Sequence, residues 1–144
     1  MWRELIRDLD PQSTFFPGAT MLQLTTLEKA LSITLREELK SLLMESNGVR
    51  GEYELRLIWS TEEIVQRNLH MRTSAALRAS YMPFENLLFF ADAGNGDQFA
   101  YPLIQGASLR SDIFAWDHEN DSRTWIAASL QRYIERWLTG KLSL

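Results

Sequence analysis

No cysteine occurs in the 144 residues, which excludes a disulfide frame and a thiolate metal site and is consistent with a cytoplasmic setting. Only four prolines and seven glycines interrupt the chain, so regular elements with short connections are expected, without low-complexity linkers or internal repeats. No apolar run reaches the ~18 residues that a membrane helix needs. The opening MWRELIRDLD mixes charge with apolar residues at helical spacing, unlike a secretory h-region, so a soluble protein is expected. A concentrated basic patch is also missing. The net charge is −4, and residues 85–121 hold seven acids (Glu85, Asp92, Asp97, Asp112, Asp117, Glu119, Asp121) against Arg110 alone, a local balance of −6 beside +2 for the rest. Such a segment repels phosphate and attracts cationic surfaces, which argues against direct nucleic-acid binding and for a basic protein partner.

Hydrophobic residues make up 45% of the chain, with five Trp, seven Phe and four Tyr, well above the level at which chains stay disordered. A chain of this length buries about 68 to 70% of its unfolded surface in one domain, so a single core over residues 1–144 is expected. Residues 2–9 fit a short helix with Trp2, Leu5, Ile6 and Leu9 on one side, and Pro11, Pro17 and Gly18 mark a loop. A helix from Thr20 carries Leu24, Leu27 and Leu31, and Thr34-Leu35-Arg36-Glu37 reads as a capping box opening another, with Leu35, Leu39, Leu42 and Leu43 buried and Asn47-Gly48 as its stop. Alternation of Tyr53, Leu55, Leu57 and Trp59 predicts a strand with one buried face; Ser60 to Glu63 reads as a second capping box, opening a helix with Ile64, Asn68, Met71 and Ala75 on one face. Asn68 there is either a core residue with backbone partners or a brace for a loop. LLFFAD, QFAYPL and DIFAWD predict three strands, the first two joined by a hairpin at Gly94–Asp97, with Pro102 suggesting an edge or a bulge. SRTWIAASLQRYIERWLTG predicts a long C-terminal amphipathic helix with Ile126, Leu130, Tyr133, Ile134 and Trp137 inward. The order lacks strand–helix alternation. The expected fold is therefore α+β, a single domain with an antiparallel twisted sheet of about four to six strands, flanked by N-terminal helices and the C-terminal helix. Tyr53, Leu55, Leu57, Trp59, Phe89, Phe99, Phe114, Ile126, Leu130 and Tyr133 are its expected core.

Two stretches suggest chemistry. Gly94-Asn95-Gly96-Asp97 resembles a phosphate-cradling loop in composition, but such a loop opens a helix and carries no flanking aspartates, whereas this one leads into a strand between Asp92 and Asp97. A turn whose amides are capped by aspartate is the simpler reading. Asp117, His118, Glu119 and Asp121 offer one imidazole and three carboxylates, yet lack the ligand spacing of an EF-hand. Just before a helix, the same acids are explained by its positive end, with Asn120 or Asp121 as the cap. His118 as a general base with Ser111, Ser122 or Ser129 as nucleophile would make a small hydrolase, but no Gly-x-Ser-x-Gly elbow singles out one serine, and His70 sits among polar residues. No catalytic set, metal site or cofactor is expected.

Taken in order, LEKALSITLREELKSLLMESNGV, LLFFADAGNGDQFAYPL and DIFAWDHENDSRTWIAASLQRYIERWL resemble the SUKH superfamily, Smi/Knr type, named after fungal regulators of cell-wall glucan synthesis. The resemblance spans residues 16–138; residues 1–15 lie outside it as an N-terminal extension, and Ile33-Thr34 stands where the family often has Leu-Pro. It implies an α+β domain without general catalytic activity, whose bacterial members are mostly predicted immunity proteins that bind and neutralise toxins, often nucleases. The residues that would meet such a partner are Asp92, Asp97, Asp117, His118, Glu119 and Asp121. The alternative is a regulatory or scaffold module of the fungal kind.

Overall fold

Helices form where capping and apolar spacing agree. In the computed structural model, which describes residues 1–107 and 110–142, the order is α1 (Trp2–Leu9), β1 (Thr14–Phe15), α2 (Met21–Leu31), α3 (Glu37–Glu45), β2 (Val49–Arg50), a 3-10 turn (Glu52–Glu54), β3 (Arg56–Ile58), α4 (Thr61–Thr73), α5 (Ala75–Ser80), β4 (Leu87–Asp92), β5 (Gln98–Pro102), β6 (Ile113–Trp116), β7 (Arg123–Ala127) and α6 (Leu130–Leu138). Thr20 and Ser60 each accept from the third residue of their helix while Gln23 and Glu63 bond back, the reciprocal capping box that satisfies free first-turn amides. Residues 1–15 contribute to the same core: α1 buries Trp2 and Ile6, and Glu45 of α3 accepts from the backbone N–H groups of Trp2 and Arg3 at 3.2 and 3.1 Å. Burial raises the Glu45 carboxyl pKa, but those hydrogen bonds outweigh it and hold the group below its ordinary value.

The domain is α+β, with two antiparallel sheets: a small three-stranded one in the order β1-β2-β3 and a four-stranded one in the order β4-β5-β6-β7. They abut where the Trp59 N–H donates to the Phe90 carbonyl at 2.8 Å. One step along β4, α4 takes over the role of a neighbouring strand, because buried Asn68 both accepts from the Phe89 N–H and donates to the Phe89 carbonyl. From the other side, the Tyr133 hydroxyl of α6 donates to the Leu57 carbonyl of β3 at 3.1 Å. Between these ties, Phe90 packs on Tyr101 and Tyr133, and Phe99 on Tyr133 and Trp137. Aromatic pairs at these separations add to the area they bury.

Five expectations need correction. The stretch from Ser122 is not helical at its start: it forms β7 against β6, and α6 begins only after Ser129, whose hydroxyl accepts from the Arg132 N–H. Ile126 is buried under either assignment, and only pairing with β6 decides between them. The Thr34 side chain caps no helix among the described residues; its N–H goes to the Gly106 carbonyl, and α3 starts after Arg36 with no side-chain cap. Ala75 is exposed at the start of α5, because α4 stops at Thr73. The strand expected from Tyr53 shrinks to Arg56–Ile58, with Leu57, Ile58 and Trp59 all buried, Leu55 half-buried and Tyr53 94% exposed. Phe114 is half-buried; the remaining expected core residues are buried. Pro102 ends β5 beyond Ala100, the last residue of that strand to pair with β6.

Candidate functional site

Three hairpin turns lie side by side at one end of the two sheets. The β4–β5 turn is closed by the Ala93 N–H donating to the Asp97 carbonyl, with Asn95 Oδ1 accepting from the Asp97 N–H. Gly-Asn-Gly-Asp is thus a turn, as its strand context implies. Gly94 and Gly96 have φ of +87° and +103°, and a Cβ on Gly96 would sit 2.9 Å from the His118 ring, so glycine is required there for both conformation and space. The β6–β7 turn runs from Asp117 to Ser122, closed by the Asp117 N–H to the Ser122 carbonyl and the Asp121 N–H to the Asp117 carbonyl. Asp117 and Asn120 side chains accept from the Glu119 and Ser122 N–H groups. This corrects the helix-capping account of the acidic run: the acids sit in a hairpin, with Asp121 at φ +61°. The third turn, Gly51–Leu55, joins β2 to β3, and its Leu55 Cδ1 lies where a Cβ on Gly94 would approach to 3.2 Å.

A buried carboxylate ties two of the turns together. Asp97, 9% exposed, accepts from the His118 N–H at 3.1 Å through Oδ1, which also lies 2.7 Å from His118 Nδ1. This hydrogen bond raises the His118 pKa above its ordinary value, and the charges of Asp97, Glu119 and Asp117 add to it while desolvation opposes it. The sign follows directly: the clasp is fully formed below the ordinary histidine value of about 6.5 and weakens as pH rises through the higher folded value. In Asp97→Asn, the His118 Hε1 titration followed by NMR is expected to move down toward about 6.5. An unmoved midpoint would remove Asp97 as the cause.

The expected partner-binding residues separate into two groups. Asp92 accepts from Trp59 Nε1 at 3.1 Å and faces Arg67, whose guanidinium stacks over the Trp59 ring. Asp121 accepts from the Met82 N–H, Trp116 Nε1 and Arg123; burial raises its pKa, and these bonds overcome that and hold it low. Asp97 and Asp121 therefore order the turns, and Asp92 ties the end of β4 to Trp59 and Arg67. Asp117 is half-buried and Glu119 exposed, and neither forms an ion pair among the described residues.

Asp97, Asp117 and His118 are also three possible metal ligands whose donor atoms lie within 4.8 Å of one another. A cation taking His118 Nδ1 would have to break the Asp97 hydrogen bond, and three donors fall well short of the six to eight oxygens that Ca²⁺ prefers. The geometry fits a clasp better than a metal centre. Nor is a nucleophile assembled: Ser111 donates to the Ala128 carbonyl, Ser129 caps α6, and no serine hydroxyl among the described residues bonds His118. His70 is exposed on α4.

A protein-family model described as SUKH_6, SMI1-KNR4 cell-wall, matches residues 22–134, more than three quarters of the chain. The chain belongs to the SUKH superfamily, Smi/Knr type. No curated protein matches it. Membership supports a non-catalytic module and suggests protein–protein interaction. No helix among the described residues is long and apolar enough to cross a membrane. What sequence reasoning missed at this end of the SUKH domain is the Glu52-Tyr53-Glu54 turn, whose only local sign is Gly51 followed by acids flanking the aromatic residue.

Proposed function

We propose that this SUKH chain is a cytoplasmic immunity module that binds a basic toxin domain, a nuclease being the class its charge suits, and neutralises it by covering a cationic cleft. The observation that carries this reading is the division among the carboxylates. Asp92, Asp97 and Asp121 are held by Trp59, His118 and Trp116, which fastens the end of β4 and two of the turns, while Asp117 and Glu119 remain unpaired by lysine or arginine among the described residues. Unneutralised charge on a stiff frame steers a cationic surface onto it and loses little to reorganisation on contact. The description of the matching family, cell-wall, favours a second reading, a regulatory or scaffold module with a cellular partner and no toxin domain encoded beside it.

The test is to change Asp117 to Asn, which keeps the Oδ1 that accepts the Glu119 N–H, together with Glu119 to Lys, and to measure association with the partner that the tagged chain captures from native lysate. Asp121 is left intact because it orders the turn through Met82 and Arg123. Association is expected to slow on the order of tenfold at low ionic strength, with the difference closing as salt screens the charges. Unaltered kinetics in a folded variant would refute the acidic-surface reading.

A further inference from the structure

The β2–β3 turn holds two successive non-glycine residues in a strained backbone conformation. Its ends are fastened by the Gly51 N–H to the Leu55 carbonyl at 2.8 Å and the Leu55 N–H to the Glu52 carbonyl at 3.2 Å. Between them, Tyr53 and Glu54 stand in succession at φ of 57° and 59°, in the left-handed region. Side chains with a Cβ reach that region only at a conformational cost, and glycine or asparagine would fit more easily. The sequence instead places a large aromatic ring there and drives it outward: Tyr53 makes no side-chain hydrogen bond or ring contact among the described residues. Strain of this kind is retained where the displayed side chain has work to do.

The turn is not isolated. Leu55 seats it on Gly94 of the β4–β5 turn, and Gly96 of that turn supports the His118 ring. The turn that carries Tyr53 thus adjoins the β4–β5 turn, which adjoins the turn of Asp117 and Glu119, and Tyr53 stands between Glu52 and Glu54, both exposed; Glu54 has a distant partner in Arg50 at 3.9 Å. A rigid tyrosine buries much area at small entropic loss, and its ring face attracts arginine and lysine, especially where carboxylates flank it.

We infer that Tyr53, flanked by Glu52 and Glu54, is the aromatic anchor of the partner-binding surface and takes an arginine or lysine side chain of a cationic protein over its ring. The inference rests on the acidic-surface reading and extends it to a turn that the charge pattern of residues 85–121 leaves out. The probe is deca-arginine, titrated into isotope-labelled protein with deca-glutamate as control and followed by NMR. Deca-arginine is expected to shift the Tyr53 ring together with Asp117 and Glu119, and deca-glutamate to shift none of them. Tyr53→Ala and Tyr53→Gly should weaken binding about two- to fivefold, Tyr53→Phe should retain it, and Tyr53→Gly should melt no lower than the wild type because it relieves the turn. If Asp117 and Glu119 respond while Tyr53 is silent, the anchor is refuted and the acidic surface stands. If none responds at low salt, both fall. A Tyr53→Gly variant that melts well below the wild type would make the residue structural and also overturn the inference.

Discussion

Asn68→Ala is expected to destabilise the domain by roughly 2–6 kcal/mol, because it leaves two buried backbone groups unpaired at about 1–3 kcal/mol each. Asn68 is 1% exposed; its Oδ1 accepts from the Phe89 N–H at 2.9 Å, and its Nδ2 donates to the Phe89 carbonyl at 2.8 Å and the Ile64 carbonyl at 2.7 Å. The β3 strand meets β4 through Trp59 and Phe90, so without the amide the backbone of Phe89 loses its partner at that edge. Total stabilities of such domains are about 5–15 kcal/mol, so the loss would be a large fraction. Asn68→Asp should not rescue it, since a carboxylate cannot donate to Phe89 and its charge would be buried. Urea unfolding would give the difference, and hydrogen exchange at the Phe89 amide would locate it. A midpoint close to the wild type, with Phe89 still protected, would mean that another group pairs this edge.

Leu130→Ala is expected to cost about 2 to 5 kcal/mol, the range for removing a fully buried leucine side chain when the surroundings collapse only partly. Leu130 opens α6 at 0% exposure, and the same helix buries Tyr133 and Ile134. Tyr53→Ala is the internal comparison. Periodicity places both residues in the core, but at 94% exposure Tyr53 should contribute within about 0.5 kcal/mol. Equal losses in the two variants would contradict the burial pattern, and a changed denaturant slope in either would signal an altered unfolded or native ensemble.

Legibility in the sequence followed how local each signal was. Thr20 with Gln23 and Ser60 with Glu63 mark helix starts by chemistry contained in four consecutive residues, and both capping boxes form. Thr34 and Glu37 present the same pattern without the same outcome, since Thr34 is drawn to Gly106, a residue far along the chain. Trp125 and Ile126 are compatible with either period, and the adjacent β6 makes them strand. The acidic run suffered the same ambiguity: its membership in one cluster was readable, whereas the difference between Asp121, which orders a turn, and Glu119, which faces solvent, depends on Met82, Trp116 and Arg123.

By itself the sequence determined the α+β class, the hairpin at Gly94–Asp97, the apolar stripes of α2 and α4, and the family, because each rests on short-range order or on motifs read in series. The tertiary structure decided that Asp97 grips His118 from a neighbouring turn, that Asn68 completes the edge of β4, and that Tyr53 faces solvent. These outcomes are set by pairing between distant segments, where the best satisfaction of buried polar groups and the tightest packing override local period.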